Sequence, residues 1–180
     1  LTSGQRIGFA ELSKQRHVDA LKKLPVGIEH LRGCLEGGKV ICFAHHTDVI
    51  DGIMDAFPGL AVKVTGSESD VERDWAVTEF QTNPKIRLFV GELKAAGVGL
   101  TLTAASTVVF FELDWVPATI KQAEDRAHRI GQKSSVICHF LVLERSCDSR
   151  MAKLLVEKMD VADKVLRAKQ MLPKHREGER

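Results

Sequence analysis

The chain has 180 residues, of which 44% are hydrophobic, so its length predicts one domain with a substantial core. Its formal net charge of +2 is too close to neutral to indicate a nucleic-acid partner, and any basic surface must be local. No run reaches the ~18 apolar residues that a membrane span needs, and no signal peptide is visible. Because the chain starts mid-pattern at Leu1, we expect it to be part of a longer protein.

The first part of the chain, residues 1–38, is predicted to be a helical lead-in. Lys14 to Leu24 is charged and amphipathic, and Pro25 suits the start of a further helix. This second helix is predicted to end at Gly37-Gly38.

From residue 39 short apolar runs alternate with helical segments, and this alternation predicts a core domain over residues 39–145. An α/β fold with a mainly parallel sheet and helices on both faces follows from it. A C-terminal helix, 146–172, is expected to begin near Cys147 with Ser146 or Asp148 as its cap, and a charged tail, 173–180, follows it. Strands are predicted at 40–43, 61–64, 86–90, 107–111 and 136–143, with helices at 47–57, about 69–81 and 117–130.

Ligands of such sheets bind beyond the carboxyl ends of the strands, so the residues that follow each strand are candidates. His45-His46-Thr47 follows the first strand and suits a backbone phosphate, which the Thr47 hydroxyl, helix N–H groups and a histidine would contact. It is equally typical of an ordinary strand end with Thr47 as N-cap. Adjacent histidines point to opposite sides of an extended chain, so they do not easily chelate one metal.

The next two loops carry weaker signals. Thr65-Gly66-Ser67 suits an anion before a helix N-terminus, or simply makes a turn. After the third strand, Gly97 and Gly99 allow close backbone approach to a ligand, and Lys94 and Thr101 add a charge and a hydroxyl. This loop is neither a P-loop nor a G-x-G-x-x-G fingerprint, because Leu102 occupies the place of the third glycine.

The cysteines favour a reducing compartment with free thiols. They show no paired metal-ligand spacing, so no zinc site is predicted. Cys42 and Cys138 lie in apolar runs, where cysteine usually acts as a small hydrophobe. The four are Cys34, Cys42, Cys138 and Cys147.

The strongest signal is the string from Gln122 to Gln132. On a helix, Gln122, Arg126 and Arg129 share one face, and two adjacent guanidiniums suit a phosphate chain. The alternative is a salt-bridged surface helix, since Asp125 has partners of opposite charge at i−4 and i+4. No acidic pair for Mg²⁺ accompanies the arginines, so the chain contains features of half a phosphate site.

Four segments, in this order and spacing, resemble motifs of the second RecA-like lobe of Swi/Snf-type ATPases of helicase superfamily two. They are Val40 to His46, Gly66-Ser67 with Arg73, Lys94 to Leu102, and Gln122 to Gln132. The resemblance covers about residues 10–160, and segment 104–132 is most similar to the annealing-helicase, fork-remodelling branch. It implies a RecA-like three-layer fold in a DNA-dependent ATPase, with ATP and Mg²⁺ held mainly by an N-terminal lobe.

The resemblance also implies a role for each matching residue. Gln122, Arg126 and Arg129 match the motif whose arginines act as fingers on the γ-phosphate, and Gly97, Gly99 and Asp125 are expected near the nucleotide. Contact with the DNA backbone is implied for His46, Thr47, Gly66, Ser67, Lys94 and Thr101. The sequence departs from the family at Thr65, Val116, Glu92 and Leu93, and these departures bear on individual DNA contacts.

The expected partners are double-stranded or branched DNA and the N-terminal lobe of the same protein, with no membrane involved. The fragment alone is expected to be monomeric and inactive. The protein should lie in the nucleoid of a bacterium or archaeon and in the nucleus of a eukaryote. A degenerate lobe that only binds DNA or protein is the alternative, which intact Arg126 and Arg129 disfavour. A free-standing nucleotide-binding enzyme is disfavoured by the missing P-loop and metal ligands.

Overall fold

A computed structural model of the protein describes residues 3–93, 102–114 and 135–158, with side chains from residue 11 onward. Its centre is a five-stranded sheet in the order β2-β3-β1-β4-β5, in which every pairing is parallel. This arrangement confirms the predicted α/β fold. The strands are β1 (Val40–Ala44), β2 (Ala61–Val64), β3 (Leu88–Glu92), β4 (Thr107–Phe110) and β5 (Ile137–Phe140).

Helices cover both faces of the sheet, as the alternating pattern predicts. On one face lie α1 (Ser3–Glu36) and α2 (Thr47–Ala56), and on the other lie α3 (Asp70–Thr82) and α4 (147–158). Side chains of β1 alternate between the two cores: Cys42 packs with α1 and α2, while Phe43 packs towards α3 and α4. A central strand buried on both faces must be apolar throughout, and all five residues of β1 are buried.

The predicted break at Pro25 is wrong, because Pro25 lies inside the single 34-residue helix α1. A proline within a helix removes one backbone hydrogen bond. Packing on both sides of it offsets that loss: Ala20 precedes Pro25, Leu31 follows it, and both are buried in the same core cluster. The lead-in is therefore built into the core of the lobe.

The other differences lie at strand ends. The second strand is confirmed at Ala61–Val64, whereas the third begins two residues later than predicted because Ile86 still belongs to the turn closed on Asn83. The fifth strand, Ile137–Phe140, is shorter than predicted because its described partner β4 is only four residues long.

A buried ion pair fastens α1 to the start of α4. Lys23 Nζ donates to Asp148 Oδ2 at 2.6 Å and to the Leu141 carbonyl at 2.9 Å, and both charged side chains are less than a tenth exposed. Nearby, the Cys147 amide donates to Asp19 Oδ2 at 3.1 Å. Ser146 is the cap of α4, since its hydroxyl oxygen accepts from the Asp148 amide, while the Asp148 carboxylate binds Lys23.

Candidate nucleic-acid interface and motor site

Two of the loops singled out from the sequence lie at one edge of the sheet, where β1, β2 and β3 end. Ala44 at the end of β1 is in register with Glu92 at the end of β3, and the Leu93 amide donates to the Ala44 carbonyl at 2.9 Å. Val64 ends β2 on the far side of β3. The structure therefore brings the His45-His46-Thr47 and Thr65-Gly66-Ser67 loops to the same carboxyl edge.

A buried carboxylate holds the His45-His46 turn. Glu112, which is 3% exposed, accepts hydrogen bonds from the amides of His45 at 2.7 Å and His46 at 2.9 Å. Its other oxygen lies 2.6 Å from His46 Nδ1. The alternative with Thr47 as N-cap is wrong, because α2 begins at Thr47 and His46 is its N-cap, without a side-chain cap bond. Because the chain turns here, the two histidine rings meet edge to face with centroids 4.9 Å apart and do not point to opposite sides.

The lead-in helix also contributes to this site. The His17 ring stacks on the His46 ring with centroids 4.4 Å apart and an interplanar angle of 10°. His17 Nε2 lies 2.5 Å from Asp48 Oδ2. Burial alone raises the pKa of Asp48, but the hydrogen bond from His17 and its charge lower that pKa on balance. Thr47 is exposed beside this cluster, so its hydroxyl is accessible to a ligand.

Two carboxylates organise the Gly66 turn. Glu68 Oε2 accepts from the amide of Thr65 at 2.5 Å and from its hydroxyl at 2.7 Å, and that hydroxyl lies 2.8 Å from Ser67 Oγ. Glu92 Oε2 accepts from the Gly66 amide at 3.0 Å. The donors expected to meet a phosphate are thus held by carboxylates of the chain, although Gly66 and Ser67 are exposed.

Sequence reasoning missed three residues of this edge, His17, Glu112 and Glu68. His17 is 31 residues from its partner Asp48 in the sequence, and Glu112 is 66 residues from His46, so no local spacing joins them. The remaining predicted residues lie outside the described part of the chain: Gln122, Asp125, Arg126, Arg129, Lys94, Gly97, Gly99 and Thr101.

Among the described helices, none is both long and apolar enough to cross a membrane.

Comparison with known families decides the classification. Residues 19–131 match the helicase conserved C-terminal domain, a span that includes the predicted arginine helix. The chain belongs to the helicase C-terminal domain family. This finding confirms the resemblance that rests on the order and spacing of the four sequence segments.

Relatives of this helicase domain include a SWI/SNF-related protein and an annealing helicase. It is 41% identical over 133 residues to the SWI/SNF-related matrix-associated actin-dependent regulator of chromatin subfamily A-like protein 1 of Drosophila melanogaster. It is also 41% identical over 145 residues to the human DNA annealing helicase and endonuclease ZRANB3. These alignments cover 72% and 79% of the chain but only 18% and 13% of the relatives. The predicted likeness to annealing helicases is confirmed, while the chain spans less than a fifth of these relatives.

The fold agrees with a solved structure of the same kind. The C-terminal part of the Fun30 ATPase domain matches with a TM-score of 0.65 at 26% sequence identity. The match covers 71% of the chain and 44% of that structure. The parallel sheet with helices on both faces is therefore the RecA-like fold expected for a helicase C-terminal lobe.

Proposed function

We propose that this helicase domain is the C-terminal motor lobe of a DNA-dependent ATPase that moves along double-stranded or branched DNA. The observation that carries the proposal is the convergence of the His46-Thr47 and Gly66-Ser67 loops on one sheet edge, within a matched helicase domain. At that edge the exposed residues Thr47 and Ser67 present hydroxyls, and such groups contact the DNA backbone without reading sequence.

The donors on this edge suit a row of phosphates. Thr47 and Ser67 each expose a hydroxyl, and Gly66 is an exposed backbone position whose amide is held by Glu92 Oε2. His46, whose ring is fixed between Glu112 and His17, adds a further polar contact. Because Glu112 and His17 set the ring's position before DNA arrives, less ordering is needed when DNA binds.

The arginines supply the chemical role of the lobe. Arg126 and Arg129 would neutralise charge on the γ-phosphate of an ATP molecule bound with Mg²⁺ by the N-terminal lobe, with Gln122 beside them. Gly97, Gly99 and Asp125 would line the nucleotide side of the cleft, and Lys94 and Thr101 the DNA side. Phosphoryl transfer needs mainly positioning and charge neutralisation, and an arginine finger contributes about 10³ to 10⁵ in rate. Closure of the two lobes around ATP and reopening after hydrolysis would move the protein along DNA.

Two further features follow from this role. The fragment alone should be inactive, because its sequence contains neither a P-loop nor an evident acidic pair for Mg²⁺, and we expect it to be monomeric. The activity belongs in the nucleus of a eukaryote, or with the nucleoid of a bacterium or archaeon, where its DNA is found.

The DNA side of the proposal is tested with a Thr47→Ala/Ser67→Ala double variant of the full-length protein. The duplex concentration that half-maximally stimulates ATP hydrolysis should rise several-fold, whereas the rate at saturating DNA should change little. Thr82→Ala is a matched control, because Thr82 is exposed and its hydroxyl bonds only within α3. An unchanged DNA requirement in the double variant contradicts the proposed contacts.

A further inference from the structure

Three side chains with metal-binding atoms meet at a place remote from the proposed DNA contacts. His30 and Cys34 are four residues apart on α1, so they share a helical face. His139 reaches the same point from β5, 109 residues further along the chain than His30. Side chains along β5 alternate between the two faces of the sheet. Cys138 packs against the α3 and α4 core, so the next residue, His139, lies on the α1 face.

The spacing of the three ligand atoms fits a tetrahedral ion. His30 Nε2 lies 3.2 Å from His139 Nδ1 and 3.5 Å from Cys34 Sγ, and all three atoms lie within 4.8 Å of one another. Nitrogen and sulfur ligands at their usual distances from zinc lie about 3.3 to 3.6 Å apart in a tetrahedron. An ion would therefore fit between these side chains with little movement of the backbone.

The surroundings leave room for the ion and for a fourth ligand. The three side chains are half-buried around a cavity of about 390 Å³, which Gly33, Gly37 and Thr107 also line. Gly33 has open space where a Cβ atom would stand. Three protein ligands with one open position are typical of zinc sites that accept water or another molecule. The two imidazoles and the thiol favour zinc over magnesium or calcium, which prefer oxygen.

We propose that His30, Cys34 and His139 bind one Zn²⁺ ion, with a fourth coordination position open to the cavity. The site would tie α1 to strand β5 and so stabilise the lobe. Gly37 and Thr107 place it near the amino ends of β1 and β4, at the opposite edge of the sheet from the DNA contacts. This inference goes beyond the motor function, and it replaces the expectation from cysteine spacing that the chain binds no zinc.

Cobalt titration of the full chain, stripped of metal under reducing conditions, tests the site. We expect one Co²⁺ per chain, with a thiolate-to-cobalt charge-transfer band and the visible bands of tetrahedral cobalt. Zn²⁺ should displace the cobalt and excess Mg²⁺ should not. Cys34→Ser should remove the charge-transfer band. His139→Gln should weaken metal binding by at least about tenfold, since loss of a residue that only hydrogen-bonds to a metal ligand already costs that much affinity. Cys138→Ser is the matched control and should bind like the unmodified chain.

Failure of the unmodified chain to take up cobalt or zinc would overturn the proposal. A charge-transfer band that survives Cys34→Ser, or that Cys138→Ser removes, would overturn the ligand set. Thermal melting keeps the test decisive if a variant folds poorly. Zn²⁺ should raise the Tm of the unmodified chain and of Cys138→Ser, and should raise that of His139→Gln less. An equal rise in His139→Gln would contradict the site.

Discussion

Removing the Glu112 carboxylate should destabilise the lobe strongly, although Glu112 belongs neither to the arginine motif nor to the proposed DNA contacts. Its two oxygens serve the His45 amide, the His46 amide and His46 Nδ1 at 2.6 to 2.9 Å, from a position that is 3% exposed. A hydrogen bond to a charged group contributes about 1.5 to 3 kcal/mol, and a buried donor left unpaired costs about 1 to 3 kcal/mol. Because both histidines are half-buried and water can replace part of the loss, we expect Glu112→Ala to cost roughly 3 to 5 kcal/mol.

Glu112→Gln separates the hydrogen bonds from the charge. Both backbone amides donate to the same carboxylate oxygen, which the glutamine carbonyl can replace, so this variant should cost only about 1 to 1.5 kcal/mol. Urea denaturation measures both free energies of unfolding, with an unchanged m-value as the check on two-state behaviour. The reasoning is refuted if Glu112→Ala unfolds within 1 kcal/mol of the unmodified chain, on the order of one ordinary hydrogen bond, or if Gln is as damaging as Ala.

Three further predictions concern the packing and electrostatics of the lobe. Lys23→Met alone should cost about 3 to 5 kcal/mol because it strands a buried carboxylate, whereas Lys23→Met with Asp148→Leu should recover most of that loss. A double variant that loses as much stability as the two single substitutions together would contradict this coupling. Gly27→Ala should destabilise by about 1 to 3 kcal/mol, since the new methyl group overlaps a buried aromatic ring of the core. Gly33 has open space around it, so Gly33→Ala should instead stabilise the lobe by about 0.5 to 1 kcal/mol. Equal shifts in Tm for Gly27→Ala and Gly33→Ala would refute this contrast. Burial alone raises the pKa of Glu68, but hydrogen bonds from its neighbours lower it on balance. The stability that Glu68 contributes should therefore be present above its ordinary pKa of 4.5 and be lost as pH falls through its lowered pKa in the folded protein. Glu68→Gln should remove this part of the loss of stability at acid pH. Parallel stability-versus-pH curves would disprove it.

The regular elements were predictable because their signals are local. Short apolar runs placed all five described strands, and Ser69, with Glu72 three residues on, forms the capping box that starts α3. Pro25 was misread because its local tendency to start a helix is outweighed by packing on both sides of it. Such tertiary compensation leaves no mark in the neighbouring sequence.

Some residues of the candidate sites were predictable because they follow strands. His46, Thr47, Gly66 and Ser67 were chosen as candidates because a parallel sheet gathers its strand ends at one edge. Glu112 and His17 reach that edge through contacts over long sequence separations, as His139 reaches His30 and Cys34. Their pairing depends on the order of strands in the sheet, which no spacing in the sequence reveals.

DNA-stimulated ATP hydrolysis by the full-length protein tests the central claim most directly, with Arg129→Ala compared with the unmodified form. Loss of an arginine finger should reduce the stimulated rate by about 10³ to 10⁵ while DNA affinity remains nearly unchanged. Lys121→Ala, which removes a positive charge from the same predicted helix, should retain most of the activity. Stimulated hydrolysis that survives Arg129→Ala at a comparable rate would contradict the proposal that this lobe completes the ATP site.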